Sequence, residues 1–355
     1  MTASSFPLKP EQVTAAWLES VLDVAIDSAG VKSISEGTGF AGSVYRVHLS
    51  HGGSGAELPD TLIWKTISGD ERTRRFLTTL NAYEKESRFY GQLASDIDMA
   101  PRPYFSDFDS ESGAFCLIIE DVSYMRSGDQ IEGCTFEEAL SVVCEVARLH
   151  SAFWSERVDE RPEWIPTFDE GSGYFRRMHS VAWRRLERSF DHVPGGLIEA
   201  ARRIAPCVPE IKTRLSLSPI TLVHGDLRLD NVFLGDSSHR EGIKLIDWQA
   251  IRLGRGMYDL AYFLSTSIPV DLRRQRQDEL IATYSESLSL NGVTGYTLED
   301  CNEDFRWALL DIVIFVGVIG STLDFQSDRG LELANTIMSR LFHALEDNSA
   351  LDLLD

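Results

Sequence analysis

Strand-like and helix-like patterns are segregated along this chain, and that segregation constrains its fold more than any other feature. In the first third, short β-branched and aromatic segments alternate with glycine-rich turns, as in an antiparallel sheet. Beyond Tyr124 the apolar residues recur mostly at helical spacing. A length of 355 residues is enough for two packed domains. The sequence therefore predicts an α+β fold of two lobes, with a small β-rich N-lobe (1–121) and a large helical C-lobe (122–355).

The individual segments follow from their periodicity and their flanking turn or cap residues. A short helix begins near Pro10, and a longer one follows the third strand. Thr135 is the expected N-cap of a long C-lobe helix. The apolar run Trp307–Ile319, interrupted by Asp311, is too short to span a membrane and predicts a buried helix. The predicted strands are 31–36, 43–49, 61–66, 115–119, 221–223 and 243–246, and the predicted long helices are 70–93 and 136–154.

Composition and charge exclude several classes of function. The formal net charge of −21 would repel a phosphate backbone, so the sequence predicts no nucleic-acid partner. The five cysteines show no metal-type pairing and are odd in number, which favours a reduced compartment. The opening stretch 1–22 has neither a basic nor a continuous apolar region of the kind found in signal peptides. We therefore expect a cytoplasmic protein with no membrane partner, either a monomer or a homodimer.

Two polar clusters follow predicted strands, and together they carry the chemistry. The first is Leu222-Val-His-Gly-Asp-Leu-Arg-Leu-Asp-Asn-Val-Phe233, in which Asp226 precedes Asn231 by five residues. The second is Ile243-Lys-Leu-Ile-Asp-Trp-Gln249, in which Asp247 ends the strand. Phosphoryl transfer needs a carboxylate to orient and deprotonate a hydroxyl, and hard oxygen ligands to hold Mg²⁺. The spacing H-x-D-x-x-x-x-N matches the catalytic loop of kinases, with glycine replacing the middle arginine.

These motifs resemble the aminoglycoside phosphotransferase and choline kinase superfamily, and most closely its ecdysteroid-kinase-like branch. The segment Gly254-Arg-Gly-Met-Tyr-Asp-Leu-Ala-Tyr-Phe-Leu264 resembles that branch's G-x-x-x-D-L-A-Y-F-L pattern, with one more residue between Gly254 and the aspartate. The resemblance implies a protein-kinase-like fold with Asp226 as the catalytic base. It also implies that Asn231 and Asp247 hold Mg²⁺.

The same resemblance assigns supporting roles near the catalytic loop. His224 would shape the loop rather than carry a proton, and Asp259 would brace it. His150 matches a further position of the family, but a lone helical histidine is more often a satisfied core group.

The N-lobe supplies a candidate nucleotide site. Gly37-Thr-Gly-Phe-Ala-Gly-Ser-Val44 fits G-x-G-x-x-G-x-V between two predicted strands, a setting typical of kinases. Lys65 ends the next strand, where kinases keep the lysine that binds the α- and β-phosphates. We expect Glu86 to pair with Lys65, because Glu86-Ser-Arg-Phe-Tyr90 resembles the family's E-x-x-F-Y; Glu84 is the alternative. The loop residues expected to contact nucleotide are Gly37, Gly39, Gly42 and Ser43.

Leu117-Ile-Ile-Glu-Asp-Val122 resembles the family's hinge, which would hold adenine through backbone groups. The carbonyl of Glu120 and the amide of Val122 are the expected contacts. ATP is the expected nucleotide, and the side chains do not exclude GTP.

Three functions compete on this basis: a small-molecule kinase, a protein kinase, and a nucleotide-binding kinase-like module without turnover. Only a dozen residues separate Asp247 from Asp259, and no Ala-Pro-Glu follows, so no peptide-docking activation segment fits. The lysine, base and metal ligands that turnover requires are all present. A small-molecule kinase is the preferred interpretation.

We expect the acceptor to be an alcohol, and the insert, which is not acidic, favours an apolar alcohol over a cationic one. The insert of about 156–220, which would line the acceptor pocket, has 10 acidic and 11 basic residues. Residues 271–355 have 16 acidic residues and 6 arginines, and would attract a cationic, aminoglycoside- or choline-like acceptor. If the aromatic side chains of the insert face the pocket rather than the core, an apolar alcohol is favoured. These aromatics are Trp164, Phe168, Tyr174, Phe175, Trp183 and Phe190.

Overall fold

A computed structural model describes residues 6–34, 43–51, 58–155, 162–189, 193–235, 242–321 and 328–355. The chain divides into two compact units. The first contains residues 1–126 and the short segment 244–250, and the second contains 127–243 and 251–355. Asp247 therefore belongs to the same unit as Lys65, although 182 residues separate them.

The first unit is built on a five-stranded antiparallel sheet in the order β1-β2-β3-β5-β4. Val47, Leu62, Trp64 and Ile118 are buried on one side of it against the N-terminal elements. The strands predicted at 43–49, 61–66 and 115–119 are present, the one predicted at 31–36 begins three residues earlier and ends at Ser33, and one strand, β4, is additional. The bounds are β1 (Ser28–Ser33), β2 (Ser43–Ser50), β3 (Thr61–Thr66), β4 (Pro103–Asp109) and β5 (Ala114–Glu120).

Three α-helices accompany this sheet. The helix α1 (Ala15–Leu22) follows a 3₁₀ turn at Pro10–Gln12. The predicted single helix over 70–93 is in fact two, α2 (Glu71–Thr79) and α3 (Ala82–Gln92). The helix breaks because Asn81 lies in the left-handed region, with φ of 52°.

The segment 244–250 is anchored to the first unit by its backbone and by one ring. The amide of Leu245 donates to the carbonyl of Met99 over 2.7 Å, and the Lys244 ammonium donates to the carbonyl of Asp98 over 2.9 Å. The Trp248 ring stacks on Phe89 of α3, with centroids 4.0 Å apart.

The second unit is mainly helical. Thr135 caps α4 as predicted, and Glu138 completes a capping box with it. The predicted buried run 307–319 lies inside α10, where Asp311 is fully buried. The helices are α4 (Phe136–Ala152), α5 (Ser172–Ser189), α6 (Gly195–Ile204), α7 (Val208–Ser216), α8 (Met257–Thr266), α9 (Val270–Leu290), α10 (Leu298–Gly320) and α11 (Asp328–Asp347).

Short strands frame the candidate catalytic loop, residues 224–231. The predicted strand β7 (Thr221–Val223) pairs antiparallel with β10 (Arg252–Gly254), a strand that the sequence pattern did not reveal. β10 consists of Arg252-Leu253-Gly254, which has no β-branched residue and is too short for a periodicity argument, so it could be identified only from its pairing. The other short strands are β6 (Arg126–Ser127), β8 (Val232–Leu234) and β9 (Ile243–Leu245).

The architecture confirms the predicted α+β class, with a β-rich unit and a larger helical unit. Among the helices that the structure describes, none is long and apolar enough to cross a membrane.

Candidate active site

Lys65 lies in a buried ion-pair cluster of the first unit. Its Nζ is 2.6 Å from Oε1 of Glu86 and 3.1 Å from Oδ1 of Asp247. β3 supplies the lysine, α3 the glutamate, and the 244–250 segment the aspartate. Three stretches that are distant in sequence thus meet at one ammonium group.

The partner of Lys65 is the glutamate that the motif indicated. Glu84, the alternative, pairs instead with Arg88 over 2.9 Å, and both side chains are partly exposed. The two glutamates are two positions apart on a helix, so only one of them can face β3.

The electrostatics of the cluster favour a permanently charged lysine. Burial lowers the pKa of Lys65, but Asp247 and Glu86 outweigh burial and hold the pKa above its ordinary value. Burial raises the pKa of Glu86 to about 7, opposed by Lys65 and reinforced by Asp247. An ammonium of this kind is suited to binding phosphate oxygens at any physiological pH.

Asp247 is held in an unusual conformation with both carboxylate oxygens engaged. Its φ is 69°, in the left-handed region that non-glycine residues seldom occupy. Lys65 contacts Oδ1, and the side-chain amide of Gln249 donates to Oδ2 over 3.2 Å. The carboxylate is therefore oriented before any ligand binds.

The remaining candidate residues of the first unit are only partly described. Gly37, Gly39 and Gly42 lie outside the described residues, whereas Ser43 opens β2 opposite Thr66. At the end of β5, the Glu120 carboxylate accepts hydrogen bonds from the Arg102 amide and the Tyr124 hydroxyl, each over 3.0 Å. Val122 is buried. Their roles in binding nucleotide stay predictions.

In the second unit, α8 is the platform on which the catalytic loop rests. Asp259, in its first turn, accepts the His224 amide on Oδ2 over 2.8 Å and the Gly225 amide on Oδ1 over 2.9 Å. Gly225 has φ of 82°, which explains why glycine stands at the middle position of the motif. At the other end of the helix, the Ser267 hydroxyl accepts the Leu229 amide over 3.0 Å.

His150 is a fully buried member of the same support. Its Nε2 lies 3.2 Å from Oδ2 of Asp259, and its Nδ1 lies 2.7 Å from the Tyr284 hydroxyl. Both ring nitrogens are satisfied, as expected of a core histidine. Its carbonyl also accepts a hydrogen bond from the Thr221 hydroxyl over 2.6 Å, at the start of the strand that leads into the loop.

Asp226 is surrounded by groups that orient its carboxylate. The amide nitrogen of Asn231 donates to Oδ2 over 3.2 Å and to the Asp226 carbonyl over 2.9 Å. The Arg228 Nε lies 3.6 Å from Oδ2. The Tyr262 hydroxyl also hydrogen-bonds to Asp226. Burial is the larger cause, and the negative charge of Asp226 the next, of the rise in the pKa of Tyr262 well above its ordinary value. Several donors on one carboxylate fix its direction.

The donor set fits Mg²⁺ better than a transition metal. Asn231 uses its nitrogen on Asp226, which leaves its oxygen as the atom able to coordinate a cation. The described residues contain no group of three or more His, Cys, Asp or Glu able to hold a metal ion. Mg²⁺ is typically bound by one or two protein oxygens together with substrate phosphates, and the amide oxygen of Asn231 is a donor of that kind.

Three site residues were not predicted from the sequence: Gln249, Tyr262 and Arg228. All three stand inside the quoted motifs, two residues after Asp247, three after Asp259 and two after Asp226. The motif spacing was therefore the available signal. Their contacts depend on backbone direction, which a linear pattern does not contain.

The aromatic residues of the insert are mainly core. Phe168, Phe175 and Trp183 are buried: the Lys212 ammonium lies 4.2 Å from the Phe175 ring centroid, and the Trp183 indole donates to the Val313 carbonyl. Trp164 and Tyr174 are partly exposed, and Phe190 lies outside the described residues. The aromatic argument for an apolar acceptor is correspondingly weaker than the sequence alone indicated.

The acidic residues of 271–355 are also largely engaged where they are buried. Asp304 accepts from Arg255 over 3.1 Å and from the Tyr296 hydroxyl over 2.7 Å. Asp311 lies 2.8 Å from the Lys212 ammonium. In the described part of this segment, these two are the only buried acidic side chains.

The chain has clear relatives. Residues 36–292 match the sequence profile of the ecdysteroid kinase-like family. No curated protein is detectably similar in sequence. Many solved structures share the fold, including the following three. A candidate aminoglycoside phosphotransferase from Ralstonia eutropha is 16% identical, covering 94% of this chain and 97% of its own, with a TM-score of 0.60. Choline kinase from Cryptosporidium parvum is 13% identical, covering 94% and 93%, with a TM-score of 0.57. A microcompartment-associated aminopropanol kinase is 16% identical, covering 96% and 99%, with a TM-score of 0.54.

Proposed function

We propose that this chain, which belongs to the ecdysteroid kinase-like family, transfers the γ-phosphoryl group of ATP to a hydroxyl group of a small molecule. The observation that carries the proposal is the buried lysine shared by Glu86 and Asp247. A buried cation held by two carboxylates is an arrangement suited to phosphate binding and metal binding side by side. It also argues against a module without turnover, because the residues that turnover requires are present and paired.

Each residue has a distinct role in this proposal. Lys65 binds phosphate oxygens of the nucleotide, and Glu86 holds its ammonium in place. Asn231 and Asp247 would each supply an oxygen to Mg²⁺. Bound Mg²⁺ would neutralise charge on the triphosphate.

Asp226 orients the acceptor hydroxyl and accepts its proton. The acceptor oxygen forms a bond to the γ-phosphorus as the bond between that phosphorus and the bridging oxygen breaks, and ADP leaves with the bridging oxygen. The hydrogen bonds from Asn231 and Tyr262 support this role, because a carboxylate fixed in direction is prepared for one geometry of attack.

A small molecule fits better than a protein as the acceptor. Between Asp247 and Asp259 the chain forms a 3₁₀ turn, the short strand β10 and the first turn of α8. This leaves no length for a segment on which a peptide would dock. The hinge and the glycine-rich loop are proposed nucleotide contacts on the basis of the family resemblance.

The acceptor is proposed to be neutral rather than cationic. The two buried acids of the C-terminal segment are already paired with Arg255 and Lys212. Beside the base, Arg228 lies between Asp226 and Asp230, so the carboxylates there have a cation of their own. A cationic acceptor would have to compete with these internal cations.

The test is a panel of alcohols assayed for ATP consumption, with the variant Asp226→Asn. We expect wild-type turnover on a neutral alcohol and a loss of about 10²–10⁴-fold in the variant, the range for a general base. Asp226→Asn should bind Mg·ADP like the wild type in calorimetry, because the backbone of the loop is unaffected.

The matched control is Asp278→Asn, an exposed aspartate of α9. The Asp278→Asn variant should consume ATP with the neutral alcohol at the wild-type rate. Turnover above half of the wild-type rate in Asp226→Asn would contradict the assignment of the base. Rapid phosphorylation of aminoglycosides or choline, with neutral alcohols inert, would contradict the acceptor class.

A further inference from the structure

Residues 128–133 form a segment of the second unit that packs against the catalytic loop, and we call it the strap. Its backbone approaches the loop closely: the Gly128 amide donates to the Val232 carbonyl over 2.9 Å. A Cβ added to Gly128 would lie 2.4 Å from the Leu229 carbonyl oxygen, so this contact requires glycine. Gly133, at φ of 86°, closes the strap against Pro269.

A chain of polar contacts runs from the strap to the candidate base. The amide of the fully buried Gln130 donates to Oδ1 of Asp230 over 2.8 Å. Oδ2 of Asp230 accepts from Nη1 of Arg228 over 3.1 Å. The Nε of the same arginine lies 3.6 Å from Oδ2 of Asp226. Asp230 is therefore the junction at which the strap meets the catalytic loop.

Arg340 of α11 holds the strap from the opposite side. It is buried, and its guanidinium donates to four main-chain carbonyls. Two belong to the strap, Gln130 at 2.5 Å and Ile131 at 2.9 Å. Two belong to the C-terminal end of α8, Thr266 at 3.2 Å and Ser267 at 3.1 Å. Helix C-termini favour cations, and five donors in one plane suit several carbonyls at once.

The side chain of Gln130 ties these groups together. Its Nε2 donates to the carbonyl and to the hydroxyl of Thr266, at 3.3 and 3.2 Å. At the surface, an ion pair also links the strap to α11: Arg329 lies 3.0 Å from Asp129. The strap, the end of α8 and α11 thus share one buried polar network.

We propose that Arg340 and Gln130 are positioning residues for the reaction. They hold the strap against Asp230, Asp230 fixes the position of the Arg228 guanidinium, and Arg228 in turn orients the carboxylate of Asp226. Only the expected effect on catalysis rests on the proposed function, because the contacts of the strap do not depend on it. The C-terminal helix α11 thereby contributes to the geometry of the base without touching a substrate.

The test compares Arg340→Met and Arg340→Lys with Arg273→Met. Arg273 is the matched control, because it is another buried arginine, which donates to Gln277 and Asp347 and has no bond to the strap or the loop. Hydrogen–deuterium exchange of the peptides covering 127–133 and 226–233 is the first readout. Arg340→Met should accelerate exchange there by about tenfold or more, since four buried carbonyls lose their donor. Arg273→Met should leave these peptides at the wild-type rate.

The second readout is ATP turnover, with the acceptor found in the panel or with water. Arg340→Met should lower kcat at least about tenfold and leave KM for ATP within about twofold, because the interaction lost acts on the base. Arg340→Lys should recover part of kcat. Asp230→Asn should reproduce the loss of kcat with the strap itself still protected.

Three results would overturn the proposal. They are an unchanged exchange rate of 226–233 in Arg340→Met, a kcat of Arg340→Met equal to that of Arg273→Met, and an effect of Arg340→Met on KM alone. If the wild type consumed no ATP, the proposed function would fail, and the exchange measurement would still decide whether Arg340 clamps the loop.

Discussion

Asp247 and Gly225 occupy left-handed backbone conformations, one in each unit, at the residues that carry or flank the proposed chemistry. For glycine this conformation has little cost, whereas for an aspartate it costs on the order of 1–3 kcal/mol. The contacts of Asp247 with Lys65 and Gln249 offset part of that cost. The strain is consistent with a side chain placed for function rather than for stability.

Lys65 and Glu86 should behave as one unit in nucleotide binding. We expect Lys65→Ala and Glu86→Ala each to weaken Mg·ATP binding in calorimetry, and the double variant to lose much less than the sum of the two. The reason is that each residue acts through the other, and pairs in direct contact show coupling of about 0.5–3 kcal/mol.

Glu84→Ala is the control for this cycle, since Glu84 lies on the same helix and pairs with Arg88. It should leave nucleotide affinity unchanged. Additive losses in the Lys65–Glu86 cycle would show that the contact does not contribute to binding.

The helix α8, which is buried throughout, and the buried part of α10 each contain charged residues. In α8, Asp259 is satisfied by two amides and by His150. In α10, Asp311 interrupts the apolar run and pairs with Lys212 of α7, both side chains being fully buried. Each buried charge thus has a partner from another element, which is how a helix of this kind tolerates it.

Breaking the Lys212–Asp311 pair should destabilise the protein strongly. We expect Lys212→Met to lower the free energy of unfolding by about 3–5 kcal/mol, because it leaves an uncompensated buried carboxylate. Adding Asp311→Leu should recover most of that loss, since both charges are then absent. Chemical denaturation of the two variants measures the effect.

The surface pair Arg276–Glu279 is the matched control, with both side chains about half exposed. Arg276→Met should cost at most about 1 kcal/mol. A single variant Lys212→Met as stable as Arg276→Met would show that the buried pair is dispensable.

For the whole molecule, the net charge of −21 determines how acceptors of different charge are attracted. Attraction of a cationic acceptor would be screened over roughly 8–10 Å at physiological ionic strength, so its KM would rise with salt. A neutral acceptor is bound through buried area and hydrogen bonds, so its KM should be flat or fall slightly. We expect the second behaviour.

The measurement is KM for the acceptor at low and at physiological ionic strength, with KM for ATP measured in parallel as the reference. A steep rise with salt for the acceptor alone would favour the cationic, aminoglycoside- or choline-like class and would mean that exposed acids line the pocket.

The sequence by itself determined the class of the fold, the ecdysteroid-kinase-like resemblance, and the positions of Lys65, Asp226, Asn231 and Asp247. Motif spacing and strand or helix periodicity are local properties, and both can be read along the chain. The choice of Glu86 over Glu84 also came from a local pattern.

Only the tertiary structure decided which distant groups meet. It placed Asp247 on the same ammonium as Glu86, and it assigned the insert's Phe168 and Trp183 to the core rather than to a pocket. It also connected Arg340 to the strap across more than 200 residues of chain. Contacts of this kind depend on how elements pack, and packing follows from the shape and burial of whole surfaces rather than from any one segment.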